Sequence, residues 1–152
     1  MNLSWLAQTI FLPMVLMMFT IQEQGFHIWQ NDINQNRPVM HLDERLVNAA
    51  NYKAKLIAET GIIAHCVNGY CSNQLVHDFG CKTEYAGNSN QVESISVGVS
   101  TMAEAYESLR RSPSHQPHIL GLDMFSAQDE IGVGYYEFQN NYYYVFLSAN
   151  CL

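Results

Sequence analysis

Apolar residues recur through the middle of the chain with two distinct periods. Leu46, Val47, Ala50, Ala54, Ile57 and Ala58 follow the i, i+3, i+4 spacing of an amphipathic helix. Asp43 and Glu44 stand where a helix N-terminus favours anions, and Gly61 is the natural stop. A short helix is expected over 72–79, ended by Gly80, and the polar run 82–91 reads as loop. Val92 to Gly98 then alternates like a strand. Thr101 with Glu104 forms a capping box ahead of a helix whose inward face carries Ala105, Tyr106 and Leu109. Arg110 and Arg111 complement its C-terminal dipole, and Pro113 ends it. Residues 130–138 and 142–148, rich in aromatic and branched side chains, flank Gln139-Asn140-Asn141 and predict a hairpin. Tyr135, Tyr136, Tyr142, Tyr143 and Tyr144 admit a sugar-stacking role, but strands favour aromatics for packing and core positions are expected.

The N-terminal pattern is different. Residues 3–21, LSWLAQTIFLPMVLMMFTI, are uncharged and apolar over about the length of a bilayer-spanning helix. No Lys or Arg precedes the stretch and no small-x-small site follows it, so an uncleaved anchor is expected rather than a removed signal peptide. Gln8, Thr9 and Pro13 leave open a helix packed on a partner subunit instead of lipid. Residues 22–39 turn polar and read as a linker, with globular character beginning near Ile33. The expected organisation is an apolar helix over 1–24, a linker or entry segment over 25–40, and one domain over 41–152.

At 152 residues and 48% hydrophobic content, one domain with a proper core is the natural size. Fourteen acidic against seven basic residues give a formal charge of −7, with no basic stripe, so nucleic acid is excluded as a partner class. Four cysteines suit two disulfides and an oxidising compartment. Cys66 and Cys71 flank Asn68-Gly69, a tight-turn pair that brings them together and leaves Cys81 for Cys151. The rival is a metal knot of Cys66, Cys71, Cys81 and His77, although these spacings do not repeat a C-x-x-C pair.

The candidate chemistry is scattered: His65 beyond the long helix, Glu93 at the start of a strand, and His115 in Ser112-Pro113-Ser114-His115. Two of them have a plain structural reading, His65 as a capping or packed helix-end residue and Glu93 as a solvated carboxylate at a strand edge. Taken in order with Ile95 and Gly98, Ile119-Leu120 and Ile131-Gly132-Val133-Gly134, the set resembles the CAP superfamily, in its bacterial type. That superfamily groups cysteine-rich secretory, antigen 5 and pathogenesis-related proteins. The chain departs from the family pattern at Val92 and Ser94 (Gly and Asn in the family), Leu109 (Trp), Gln116 (Arg) and His118 (Asn).

The resemblance covers 33–147 and implies an α+β fold, an α-β-α sandwich with a small antiparallel sheet between helical layers. It also implies a cleft of two histidines and two acids. His65, His115 and Glu93 fall on three of those positions, Ser112 stands where the second acid belongs, and Glu104 or Glu107 is the candidate to reach in from the preceding turns. Two imidazoles and a carboxylate suit Zn2+ or another divalent cation. The expectation is a binding or structural module rather than an enzyme, secreted or tethered to the cell envelope through residues 3–21. A membrane or partner subunit would meet that segment, and a protein, lipid or glycan ligand the domain. The alternative is a metal-dependent hydrolase acting on an envelope polymer, for which the general acid is the missing part.

Overall fold

The 3.6-period pattern after Asp43 becomes a helix over Glu44–Thr60, capped by the Asp43 side chain at one end and by Gly61, in the left-handed conformation, at the other. It is the second of five helices among the residues that the computed structural model describes, 19–85 and 87–152. These are α1 (Ile21–Gln30), α2 (Glu44–Thr60), α3 (Ser72–Asp78), α4 (Met102–Arg111) and α5 (Gln116–Leu120), with a 3-10 turn over Asp123–Ala127. The strands are β1 (His41–Leu42), β2 (Cys66–Val67), β3 (Tyr70–Cys71), β4 (Glu93–Val97), β5 (Glu130–Phe138) and β6 (Asn141–Ala149). The fold is α+β: five helices pack on a four-stranded sheet of order β1-β5-β6-β4, beside a separate β2-β3 hairpin.

Alternation along β6 sorts the core onto the two faces of the sheet. Tyr143, Val145, Leu147 and Ala149 join Leu46, Ala50, Ala54 and Ile57 of α2 and Leu75 and Val76 of α3. Tyr144 and Phe146 join Phe26 and Trp29 of α1, Met102, Tyr106 and Leu109 of α4, and Ile119 and Leu120 of α5. The tyrosines therefore serve packing, Tyr143 and Tyr144 buried and Tyr135, Tyr136 and Tyr142 lying against the two cores. The backbone of α2 presses directly on β5. A Cβ built on Gly132 would stand 2.2 Å from the Leu46 carbonyl carbon, and one on Gly134 2.2 Å from that of Ala50. The expected hairpin is formed by β5 and β6 around Gln139 and Asn140, both at positive φ (51° and 60°), as a two-residue turn requires.

Cys66 bonds Cys71 across the β2-β3 turn, and Cys81 bonds Cys151. The metal-knot reading is thereby overturned: among the described residues there is no free cysteine, and His77 Nε2 accepts the Thr83 amide instead.

Two other expectations are corrected. The segment composed like a linker is α1 over its first part. Thr20 and Glu23 form a reciprocal capping box, and Phe26 and Trp29, one turn apart, are buried. Gln22, Glu23, Gln24 and Gln30 dilute the apolar signal without breaking helical periodicity. The sheet is mixed rather than wholly antiparallel, because β1 pairs parallel with β5, at His41–Glu130 and Leu42–Ile131. A strand of two residues, His41 and Leu42, is too short to carry a readable alternation. The apolar stretch 3–21 lies almost wholly outside the described residues, and among those described no helix is long and apolar enough to cross a membrane.

Candidate functional site

At the end of the sheet where β4 begins, a cleft of about 220 Å³ is lined by His65, Glu93, Ser94, His115, His118 and Phe125 together with Asn90, Gln91, Val92 and Ser114. The three residues singled out from sequence thus meet in one place. Glu93 opens an edge strand, yet it is buried at 4% exposure, so the solvated-carboxylate reading fails. The reason is the packing behind it. Lys53, on the inward face of α2, is itself buried, and its ammonium lies 3.8 Å from Glu93 Oε1 while donating to the His65 carbonyl at 2.7 Å. Burial pushes the Lys53 pKa down, and the Glu93 charge opposes that shift. The Ser72 hydroxyl lies 2.8 Å from Glu93 Oε1 and 3.1 Å from the His65 carbonyl.

Oε1 also stands 2.9 Å from His65 Nδ1. An ionised carboxylate can only accept, so His65 donates from Nδ1 and keeps the lone pair on Nε2. His65 is therefore held by Glu93 and does not serve as a cap, a role filled by Gly61.

His115 enters the cleft from the turn before α5. Ser112 Oγ lies 2.7 Å and Ser114 Oγ 3.2 Å from its Nδ1. Burial, then the proximity of His65, lowers its pKa and favours the neutral ring. Ser112 thus holds an imidazole where an acid was sought. The Nε2 atoms of His65 and His115 make no hydrogen bond within the described residues. These two nitrogens are what the cleft offers a divalent ion, with Glu93 behind His65. Among the described residues no three His, Cys, Asp or Glu side chains converge as a ligand set.

Glu104 and Glu107 do not reach the cleft. Glu104 is exposed and closes the capping box with Thr101 at the far end of α4, about 12 Å of helix rise from Ser112. Glu107 pairs with Arg111 on the solvent side. A carboxylate used to cap the start of a helix cannot also serve a cleft at its end.

His118, visible in the sequence only as a departure from the family pattern, lies at the floor of the cleft, 4% exposed. Its Nδ1 is 2.7 Å from Ser94 Oγ, and its ring meets Trp29 and Phe125 edge-on. Burial, with the Arg37 charge and then His115 beyond it, holds its pKa well below the ordinary histidine value, so the ring is neutral. Two buried side-chain atoms here, His118 Nε2 and Glu93 Oε2, meet no well-formed hydrogen-bond partner among the described residues, although the Val92 backbone lies close enough to His118 to oppose the lowering of its pKa.

Arg37, from the segment expected to be a linker, is also buried. It donates to the carbonyls of His118 (2.7 Å), Gln128 (2.7 Å) and Ile119 (3.2 Å) and lies over the Trp29 ring. It thereby fixes the C-terminal end of α5 and, through it, His118. Two signals were available for the missed residues. Lys53 occupies an inward position of the α2 pattern, and His115 and His118 are three apart at the start of a helix, hence on one side of it.

No family model matches the chain, and no curated protein matches it in sequence. Two solved structures are similar to it. An outer surface protein from Borrelia burgdorferi aligns with a TM-score of 0.61 at 21% identity over 87% of each chain. An extracellular protein containing an SCP domain, from Bacillus anthracis str. Ames, aligns with a TM-score of 0.57 at 14% identity, over 84% of this chain and 40% of that one. At these identities the likeness is one of fold: the chain has a CAP-like fold of the kind found in an extracellular SCP-domain protein and an outer surface protein.

Proposed function

We propose that the chain is a binding module of the cell envelope or extracellular space, secreted or tethered through residues 3–21, whose cleft takes a divalent cation such as zinc between His65 and His115. The observation that carries this reading is the cleft's acid inventory. It has one carboxylate, Glu93, whose Oε1 is already held by His65, Ser72 and Lys53. Hydrolysis needs a group to move a proton to the leaving atom, and the second carboxylate that would do so is replaced by Ser112 bonded to His115. Ser112 lies beside His115 Nδ1, but among the described residues no carboxylate stands on the other ring nitrogen to orient the imidazole as a base, which disfavours a serine nucleophile. Two disulfides and no free cysteine among the described residues suit an oxidising compartment. When bound, zinc would supply a Lewis-acidic anchor for a ligand on the cleft.

Calorimetric titration of the chain with zinc is the test. Two firm nitrogen ligands predict modest affinity, falling at least tenfold in His65→Ala and in His115→Ala. Unchanged binding in both variants would reject the site. Zinc-dependent turnover of an envelope polymer, lost in Glu93→Gln, would replace this reading with the hydrolase.

A further inference from the structure

We infer that the outer side of α1, with Phe19 before it, rests on the surface of an electrically neutral lipid bilayer. The inference depends on reading residues 3–21 as a membrane tether, and it says how the domain sits on what it is tethered to. The uncharged apolar run passes into the folded domain without a linker. Thr20 caps α1, Ile21 is its first residue, and Phe26 and Trp29 are already buried in the core. Gly25 seats the helix closely, because a Cβ there would stand 2.6 Å from Val133 Cγ1. With the run in lipid, α1 is held at the boundary between lipid and water and has no spare chain by which to leave it.

What α1 turns outward there suits that boundary. Phe19, Gln24, His27 and Ile28 line an open groove of about 320 Å³. Gln24, His27 and Ile28 follow the i, i+3, i+4 spacing of one helix side, away from Phe26 and Trp29. The polar groups of that side are turned inward: the Gln24 amide donates to the Phe19 carbonyl at 3.4 Å, and His27 Nδ1 meets the Gln30 amide at 3.1 Å. The Phe19 ring, 38% exposed, packs edge-on against His27, which leaves Phe19 and Ile28 as the apolar surface. An amphipathic helix lying in the headgroup region uses such a side. Charge selects the lipid. None of the chain's seven Lys and Arg lines this groove or the two beside it, and one of those two carries Glu23 and Glu44, so an anionic bilayer has nothing to attract. Tyr135, half-buried in the groove on the other side of Gln24, is a residue type that settles at headgroup level. Size disfavours the other occupants. A volume of 320 Å³ is about ten waters' worth, room for one or two side chains and not for the apolar run itself. Four residues also fall far short of the roughly 20–30 a side of a stable dimer interface.

The experiment uses the full chain, both disulfides formed. Flotation with phosphatidylcholine vesicles first reports the tether by itself. ¹H–¹⁵N spectra are then recorded in phosphatidylcholine nanodiscs with and without a lipid spin label at the headgroup boundary. With the helix side seated about 5–10 Å into that region, the amides of Phe19, Gln24, His27 and Ile28 should lose at least about half their intensity. Those of α3, which packs on the other face of the sheet, should keep theirs. Ile28→Glu should stay on the discs through the tether and recover the lost intensity. Phe19→Glu, at an exposed position, makes the same comparison if Ile28→Glu does not fold. Adding phosphatidylglycerol should not deepen the loss. A bound chain whose α1 is no more affected than α3, a loss unchanged in the folded variants, or one that requires anionic lipid would overturn the inference and leave the tether standing. Shifts at these amides that grow with protein concentration, without a spin-label effect, would give the face to a second copy and overturn it too. A chain that does not float with the vesicles would end the tether and this inference together.

Discussion

Replacing Lys53 by Met probes the support of the site most directly. The ammonium and the Glu93 carboxylate are 3.8 Å apart, with side chains 1% and 0% exposed. At an effective dielectric of about 20 their attraction is roughly 4 kcal/mol, most of it offset in the native protein by the cost of desolvating both charges. Removing Lys53 alone does not recover the desolvation of Glu93. It leaves a buried carboxylate with only the Ser72 and His65 hydrogen bonds, and it strips the His65 carbonyl of its 2.7 Å donor. Loss of one partner from a buried pair costs about 3–5 kcal/mol, against a whole-domain stability of about 5–15 kcal/mol. Met fills most of the Lys volume, so little of that loss is cavity. Urea denaturation with disulfides intact should show the midpoint fall with the slope unchanged. Glu93→Gln, which keeps the shape, should also destabilise, and the Lys53→Met, Glu93→Gln double variant should be less unstable than the sum by at least ~1 kcal/mol. A cost below ~1 kcal/mol for Lys53→Met, or strict additivity in the cycle, would refute the argument that charge pairing holds Glu93 in place.

Replacing both Cys81 and Cys151 by Ser, which opens a loop of sequence separation 70, should cost about 4 kcal/mol in the loop-entropy model, against about 2 kcal/mol for Cys66 with Cys71 at separation 5; a reversed order in urea midpoints would contradict it. Gly132→Ala has no room, since its Cβ would meet the Leu46 backbone at 2.2 Å, and should lose at least ~2 kcal/mol or fail to fold; near-native melting would show that α2 sits farther from β5. His118 is neutral in the folded chain but takes up a proton near pH 6.5 when unfolded, so its contribution is complete above that pH and is lost on acidification below it by up to ~1.4 kcal/mol per unit. His115, also lowered, adds to the same slope, so His118→Phe should flatten it without abolishing it, and an unchanged slope would count against the buried neutral ring.

What the amino-acid order determined by itself is local. The spacing of Leu46, Ala50, Ala54 and Ile57 with Asp43 and Gly61, the Thr101–Glu104 box and the β5-β6 turn each depend on residues a few positions apart, and each formed as its pattern required. The Asn68-Gly69 turn likewise brings Cys66 to Cys71. Tertiary structure decided the rest, because the contacts that make the cleft join residues far apart in sequence. Glu93 reaches back 28 positions to His65, and Ser94 forward 24 to His118. Whether a carboxylate such as Glu104 serves a cleft or a helix end, whether Lys53 points to water or to Glu93, and whether a polar segment such as 21–30 is linker or helix are set by which face each element docks. The two-residue β1 pairs in parallel with β5, a strand held from its other side by β6 and packed against α2. Periodicity tells a helix which side is apolar; only packing tells it what that side will meet, and the site is made of those meetings.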